Sequence, residues 1–129
     1  MAMLLCDLVI RDTRTRKASV IGITHTIALG RLSPGRDPLV VYAALTDGHG
    51  DYDVRIELMR LDDLGVLGTV ARGHVALHDR NSVGELVVDL GELPVDRPGP
   101  YQLQLHANSG IVGSVSFAVV QSPDEEGGY

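Results

Sequence analysis

The stretch YQLQLHANSGIVGSVSFAVV, residues 101–120, alternates its side chains with a period of two. That period belongs to strands with one buried face, and a helix cannot satisfy it. Tyr101, Leu103, Leu105 and Ala107 take the inward side, with Gln102, Gln104 and His106 outward. Beyond the break NSG, Ile111, Val115, Phe117 and Val119 share one face, with Gly113 as a gap. Val112, Ser114, Ser116, Ala118 and Val120 take the other. The break is short and offers a glycine for positive φ, so residues 100–120 read as a hairpin.

The same period runs upstream. YDVRIELMR puts Tyr52, Val54, Ile56 and Leu58 on one face, and Asp51, Asp53, Arg55 and Glu57 toward solvent. LVVYAALT at 39–46 is apolar on both faces, as a central strand can be. SVIGITHTIAL groups Ile21, Ile23, His25, Ile27 and Leu29, while MLLCDLVI groups Leu4, Cys6, Leu8 and Ile10. ELVVDL points Leu86, Val88 and Leu90 inward. Residues 66–78 are less regular, and Gly68 and Gly73 are candidate bulges. Eight strands result, at about 3–11, 18–29, 39–46, 52–60, 66–78, 85–90, 100–107 and 111–120. No window carries a helical stripe. Many short strands between Gly, Pro and Asp turns predict an all-β sandwich or barrel. Strands apolar on one face favour the sandwich.

A chain of 129 residues is one ordinary domain, and it buries enough surface to fold without disulfide or metal. Residues 1–121 are expected to form the sandwich, and the acidic SPDEEGGY, residues 122–129, a flexible tail. The net charge of −6 opposes a phosphate backbone, and five aromatics without tryptophan leave little to stack bases or sugars on. No nucleic-acid partner is expected. No run approaches a membrane span of ~20 apolar residues, and MAMLLCDLVI lacks the basic start and apolar length of a signal segment. A lone cysteine, Cys6, favours a reducing compartment. The expectation is a cytoplasmic protein with no membrane partner. Lys17 is the lone lysine among 11 basic residues, which reads as high-GC bacterial codon usage.

Two resemblances sharpen the fold. DRPGPYQLQL resembles the tyrosine corner of immunoglobulin-like sandwiches, written Asp-x-Gly-x-Tyr-x-Cys. Gly99, Tyr101 and Leu103 match its last three positions, with leucine for cysteine. Arg97 departs from the acid, with Asp96 beside it. In that motif the ring packs in the core and the hydroxyl bonds backbone upstream. Through LLCDLVIRD, ASVIGI, VYAALTDGHGDYDVRIEL and PGPYQLQL…FAV, nearly the whole chain resembles a family of small uncharacterised bacterial proteins with an immunoglobulin-like sandwich. The resemblance implies an immunoglobulin-like antiparallel β-sandwich of about seven to eight strands, and no activity.

Candidate chemistry is sparse. Asp47, His49, Asp51 and Asp53 form the densest cluster, yet the period-two pattern makes Asp51 and Asp53 outward strand residues and 47–50 a turn. The spacing of a calcium loop is absent. If a metal is bound at all, these four are its ligands. His74 and His78 would sit roughly 13 Å apart on a strand, too far to share one ion. His25 interrupts an apolar face, as a core-edge histidine bonded to a carbonyl or one turned outward by a bulge. Cys6 sits among apolar neighbours as a small hydrophobe. Asp62 and Asp63 are adjacent and do not form a catalytic pair. RDTRTRK concentrates Arg14, Arg16 and Lys17, and LSPGRDP adds Arg36. If the two loops share an end, they form a basic patch for a partner on an acidic protein.

No nucleotide loop, nucleophile elbow or Cys/His cluster appears. A non-enzymatic protein-binding or assembly module, partnered by another protein or by itself and needing no cofactor, is the leading expectation. One alternative is a metal- or small-ligand-binding sandwich using the 47–53 loop with histidines brought in by the fold. Another is a structural subunit of a larger protein assembly.

Overall fold

A computed structural model describes residues 2–33, 35–36, 38–46, 50–77, 83–108 and 110–121. The described chain is all-β apart from one 3-10 turn, Leu29–Leu32. In order, the strands are β1 (Ala2–Arg11), β2 (Ala18–Ile23), β3 (Thr26–Ala28), β4 (Val40–Leu45), β5 (Gly50–Arg60), β6 (Val66–Leu77), β7 (Gly84–Asp89), β8 (Gly99–Ala107) and β9 (Gly110–Val120). They form two sheets. Sheet A has the order β2-β1-β4-β7, and sheet B the order β3-β9-β8-β5-β6. All neighbours run antiparallel except β3 and β9, which are parallel.

Alternation builds the core as the pattern predicts. Met3, Leu5, Val41, Ala43, Leu45 and Leu86 from sheet A meet Val54, Ile56, Leu58, Tyr101, Leu103, Leu105, Phe117 and Val119 from sheet B. Each fully buried Leu or Ile contributes roughly 1.5–3 kcal/mol. The Tyr101 and Phe117 rings stack with centroids 5.8 Å apart. The Tyr101 hydroxyl donates to the Arg97 carbonyl at 2.7 Å, closing the corner ahead of β8. Arg97 itself reaches Asp62 at 3.3 Å and Asp63 at 3.5 Å, so the residue that departs from the motif ties the β5–β6 turn to the corner.

Three local expectations change. The predicted strand 18–29 breaks at Thr24–His25. The Thr24 N–H still bonds the Leu5 carbonyl in sheet A, while the His25 carbonyl accepts from Ala118 in sheet B. The chain therefore changes sheets there; His25 is exposed, and Ile27 alone of the grouped residues is buried. In β8–β9 a register shift between Leu105 and His106 pairs Ile111 with His106, leaving Ile111 59% exposed rather than in line with Val115. The positive φ of that turn falls on Asn108, at 53°, which tolerates the left-handed region better than most side chains.

Of the two candidate bulges, Gly68 (φ 126°) lies where β6 shifts register twice against β5. Gly73 is in register with Val54, and a Cβ there would stand 3.0 Å from Leu86, so close approach explains that glycine. Residues 47–49, His78 and the 122–129 tail lie outside the described residues.

Candidate functional site

Sheet A is staggered. Residues 2–6 of β1 pair with β4, residues 6–11 pair with β2, and Cys6 is paired on both sides. Beyond Cys6 the β1–β2 hairpin continues as a two-stranded arm. A lone two-stranded hairpin is marginal in water, so this arm needs ties. Asp12 builds its turn: its carboxylate accepts from Arg14 N at 2.7 Å and Thr15 N at 2.9 Å, which holds its pKa below the usual range. Arg16 takes φ 63°, and its N–H returns to the Asp12 carbonyl at 2.8 Å.

The arm is bent. Ala2 pairs with Ala44, which pairs with Glu85, and Arg11 is at the far end of the ten-residue β1. A straight strand would carry Arg11 roughly 30 Å beyond that row. Instead Arg11 Nη1 lies 3.1 Å from Glu85 Oε1, and the Tyr42 hydroxyl donates to the other carboxylate oxygen at 2.5 Å. Val41, Ala43 and Leu86 point into the core, so Tyr42 and Glu85 mark the outer face of sheet A, and the arm curls back over it. The tyrosine bond, then Arg11, lowers the Glu85 pKa, and the same bond raises that of Tyr42. At the root of the arm, Arg31 stands 3.9 Å from Asp7.

One face of the arm is apolar and open. The register sets Leu8 opposite Ile21, Cys6 opposite Ile23 and Ile10 opposite Ser19. Leu8, Ile10, Ile21 and Ile23 are 48%, 46%, 45% and 52% exposed. Cys6 at the root is buried, its thiol donating to the Val40 carbonyl at 3.4 Å, and burial raises its pKa. It is an inert wall, as its apolar neighbours suggest.

Arg14, Arg16 and Lys17 are exposed on the arm turn. Arg36 is exposed in the loop after the 3-10 turn and lines a cleft of about 160 Å³ with Arg31, Pro38, Leu90 and Glu92. That volume is below the ~300–1,000 Å³ of ordinary ligand pockets.

In sheet B the outward side chains of β5 and β8 are mostly polar. Asp51 and Asp53 project from β5 toward solvent, and β6 brings His74 opposite Asp53. Its ring spans both carboxylates, Nδ1 to Asp53 at 3.1 Å and Nε2 to Asp51 at 3.6 Å. Two acceptors ask for two ring protons, so the Asp53 bond, then the Asp51 charge, raises the His74 pKa. Further along, Arg55 Nη2 lies 3.4 Å from His106 Nδ1 and its Nε bonds Glu57 at 3.2 Å. Arginine can only donate, so Nε2 carries the neutral ring's proton. That nitrogen is 3.2 Å from Glu57 Oε2 but out of hydrogen-bonding alignment, buried without a hydrogen-bond partner. Among the described residues no group of three or more His, Cys, Asp or Glu side chains is placed to hold a metal ion.

A family model described as a family of unknown function, DUF6941, matches residues 1–120. The chain belongs to that family. No curated protein matches it. The match covers both sheets and the arm, so the DUF6941 domain includes every feature described above. Among the described residues, no helix of this DUF6941 chain is long and apolar enough to cross a membrane.

RDTRTRK makes the arm turn legible, but the arm face is not. The alternation in MLLCDLVI sets Leu4, Cys6, Leu8 and Ile10 on one face. The structure shows that this is the face turned from the core, which Met3 and Leu5 fill. A signal was present: MAMLLCDLVI is apolar at odd and even positions alike up to Cys6, so alternation alone does not choose a side.

Proposed function

We propose that this DUF6941 chain is a non-enzymatic protein-binding or assembly module of the bacterial cytoplasm, built as an immunoglobulin-like sandwich, with the β1–β2 arm as its binding surface. The observation that carries the reading is the arm itself. A two-stranded ribbon, curled back toward sheet A, carries four half-exposed aliphatic side chains on one face. Contiguous apolar surface rimmed by polar residues marks interaction sites, and the basic turn of Arg14, Arg16 and Lys17 supplies that rim. Arg36, exposed on the loop after the 3-10 turn, is a second positive contact for an acidic partner.

The immunoglobulin-like reading is supported by strand order and by the corner. The run β9-β8-β5-β6 in one sheet with β4-β7 in the other matches a GFC sheet extended by C′ against a B–E pair. Tyr101 lies near the start of β8, where strand F begins in that scheme, and its hydroxyl returns upstream to Arg97. The insertion of β1 between β2 and β4 departs from the scheme. Bacterial origin is supported by arginine usage, and a reducing cytoplasm by the single buried thiol.

Capture of partners from the native host by tagged protein tests the reading. Charge reversal at Arg14 and Arg16 is expected to weaken the captured partner's affinity, and an unchanged affinity counts against the role of the basic turn.

A further inference from the structure

We infer that the occupant of the arm is a second copy of this chain, joined by antiparallel pairing of β2 with its counterpart. This rests on the arm being the binding surface. The sheet edges differ in how they are guarded. Proteins blunt free edges with charge, shortness, bulges or proline. The β3 edge has three residues. The β6 edge carries Arg72, His74 and the register shifts against β5. The β7 edge carries Glu85 and Asp89. The other edge of the arm, residues 7–11 of β1, carries Asp7 and Arg11. The β2 strand, ASVIGI, has no charge and no proline, and among the described residues nothing pairs with its outer edge.

Symmetry and charge select the geometry. A two-fold axis perpendicular to the arm at Ile21 sets Ile21 against Ile21, and Ser19 against Ile23, so both copies show the same face and the apolar strip doubles. Parallel pairing would bring the two basic turns together. Antiparallel pairing separates them and lays the Arg16–Lys17 end of one copy beside the Gly22–Thr24 end of the other. There Asp7 leans over Gly22, where a Cβ would collide with its carboxylate, so an acid meets the incoming basic end. Four half-exposed side chains and a six-residue strand make less than the ~800 Å² per partner of a standard interface. The dimer is therefore weak, micromolar or looser, and concentration-dependent.

Sedimentation equilibrium of the purified chain over a concentration series tests this, with Ile21→Lys and Val66→Lys as variants. Wild type is expected to pass from monomer to dimer. Ile21→Lys opposes two like charges at the axis and is expected to weaken association roughly tenfold or more. Val66→Lys, on the β6 edge, is expected to leave it unchanged. Ile21→Cys is expected to form a covalent dimer under mild oxidation, while wild type, with Cys6 buried, does not. A wild type that stays monomeric at its highest soluble concentration, with no Ile21→Cys dimer above a Val66→Cys control, overturns the second copy. If Ile21→Lys then still abolishes capture of a different host protein, the arm remains the binding surface and only its occupant changes.

Discussion

The Arg11 guanidinium lies 3.1 Å from the Glu85 carboxylate, although Arg11 lies beyond Cys6, where β1 leaves its pairing with β4, and Glu85 pairs with Ala44 at the other end of that pairing. That contact makes the arm a curled element with its tip pinned to sheet A. Tyr42 holds the same carboxylate from beneath, so the pin has three members.

Glu85→Gln is expected to cost less than about 1 kcal/mol of global stability, because the ion pair is largely solvated. Its effect belongs in the arm. Amide hydrogen exchange is expected to quicken in residues 7–11 and 18–22, with β5 and β8 unchanged. Uniform exchange across the chain would show that the pin holds nothing.

Tyr101→Phe keeps the ring against Phe117 and removes the bond to the Arg97 carbonyl. Urea unfolding is expected to show a loss of about 1–2 kcal/mol with an unchanged m-value. No loss would mean that the corner contributes ring packing alone.

Gly84→Ala would place a Cβ 2.5 Å from Val75 and 2.7 Å from Leu77. Overpacking of this kind costs about 1–3 kcal/mol, and thermal unfolding measures it. Gly91→Ala meets nothing within contact and is expected to be near neutral.

His74 is held by Asp53 and Asp51, and its pKa is raised above the ordinary 6.5. A raised folded pKa means that the charged ring contributes stability in full below the unfolded value, and loses it as pH rises through the folded one. NMR titration is expected to place His74 above 6.5 in wild type and lower in Asp53→Asn. Equal values in the two proteins would contradict the pairing.

Alternation made the core of β5, β7 and β8 legible in the sequence, because their inward residues are apolar and most of their outward ones polar. It also made Tyr101 legible, since PGPYQLQL carries its own local logic. Alternation failed where both faces are apolar. In β1 the choice between Leu5 and Leu4 depends on which side meets sheet B, and that is a tertiary fact. The sheet change at Thr24–His25 was hidden for a related reason: Ile21, Ile23 and Ile27 keep the period of a single strand although the chain leaves one sheet for the other. His74 reaches Asp51 and Asp53 only through the pairing of β5 with β6, which no local pattern encodes.

Affinity capture from the native host, quantified for wild type and Ile21→Lys side by side, bears most directly on the arm as binding surface. Wild type is expected to retain a protein partner, a second copy or another chain, clearly above an untagged control, and Ile21→Lys to lose it while keeping its fold. Equal capture by both proteins would contradict the assignment of the arm.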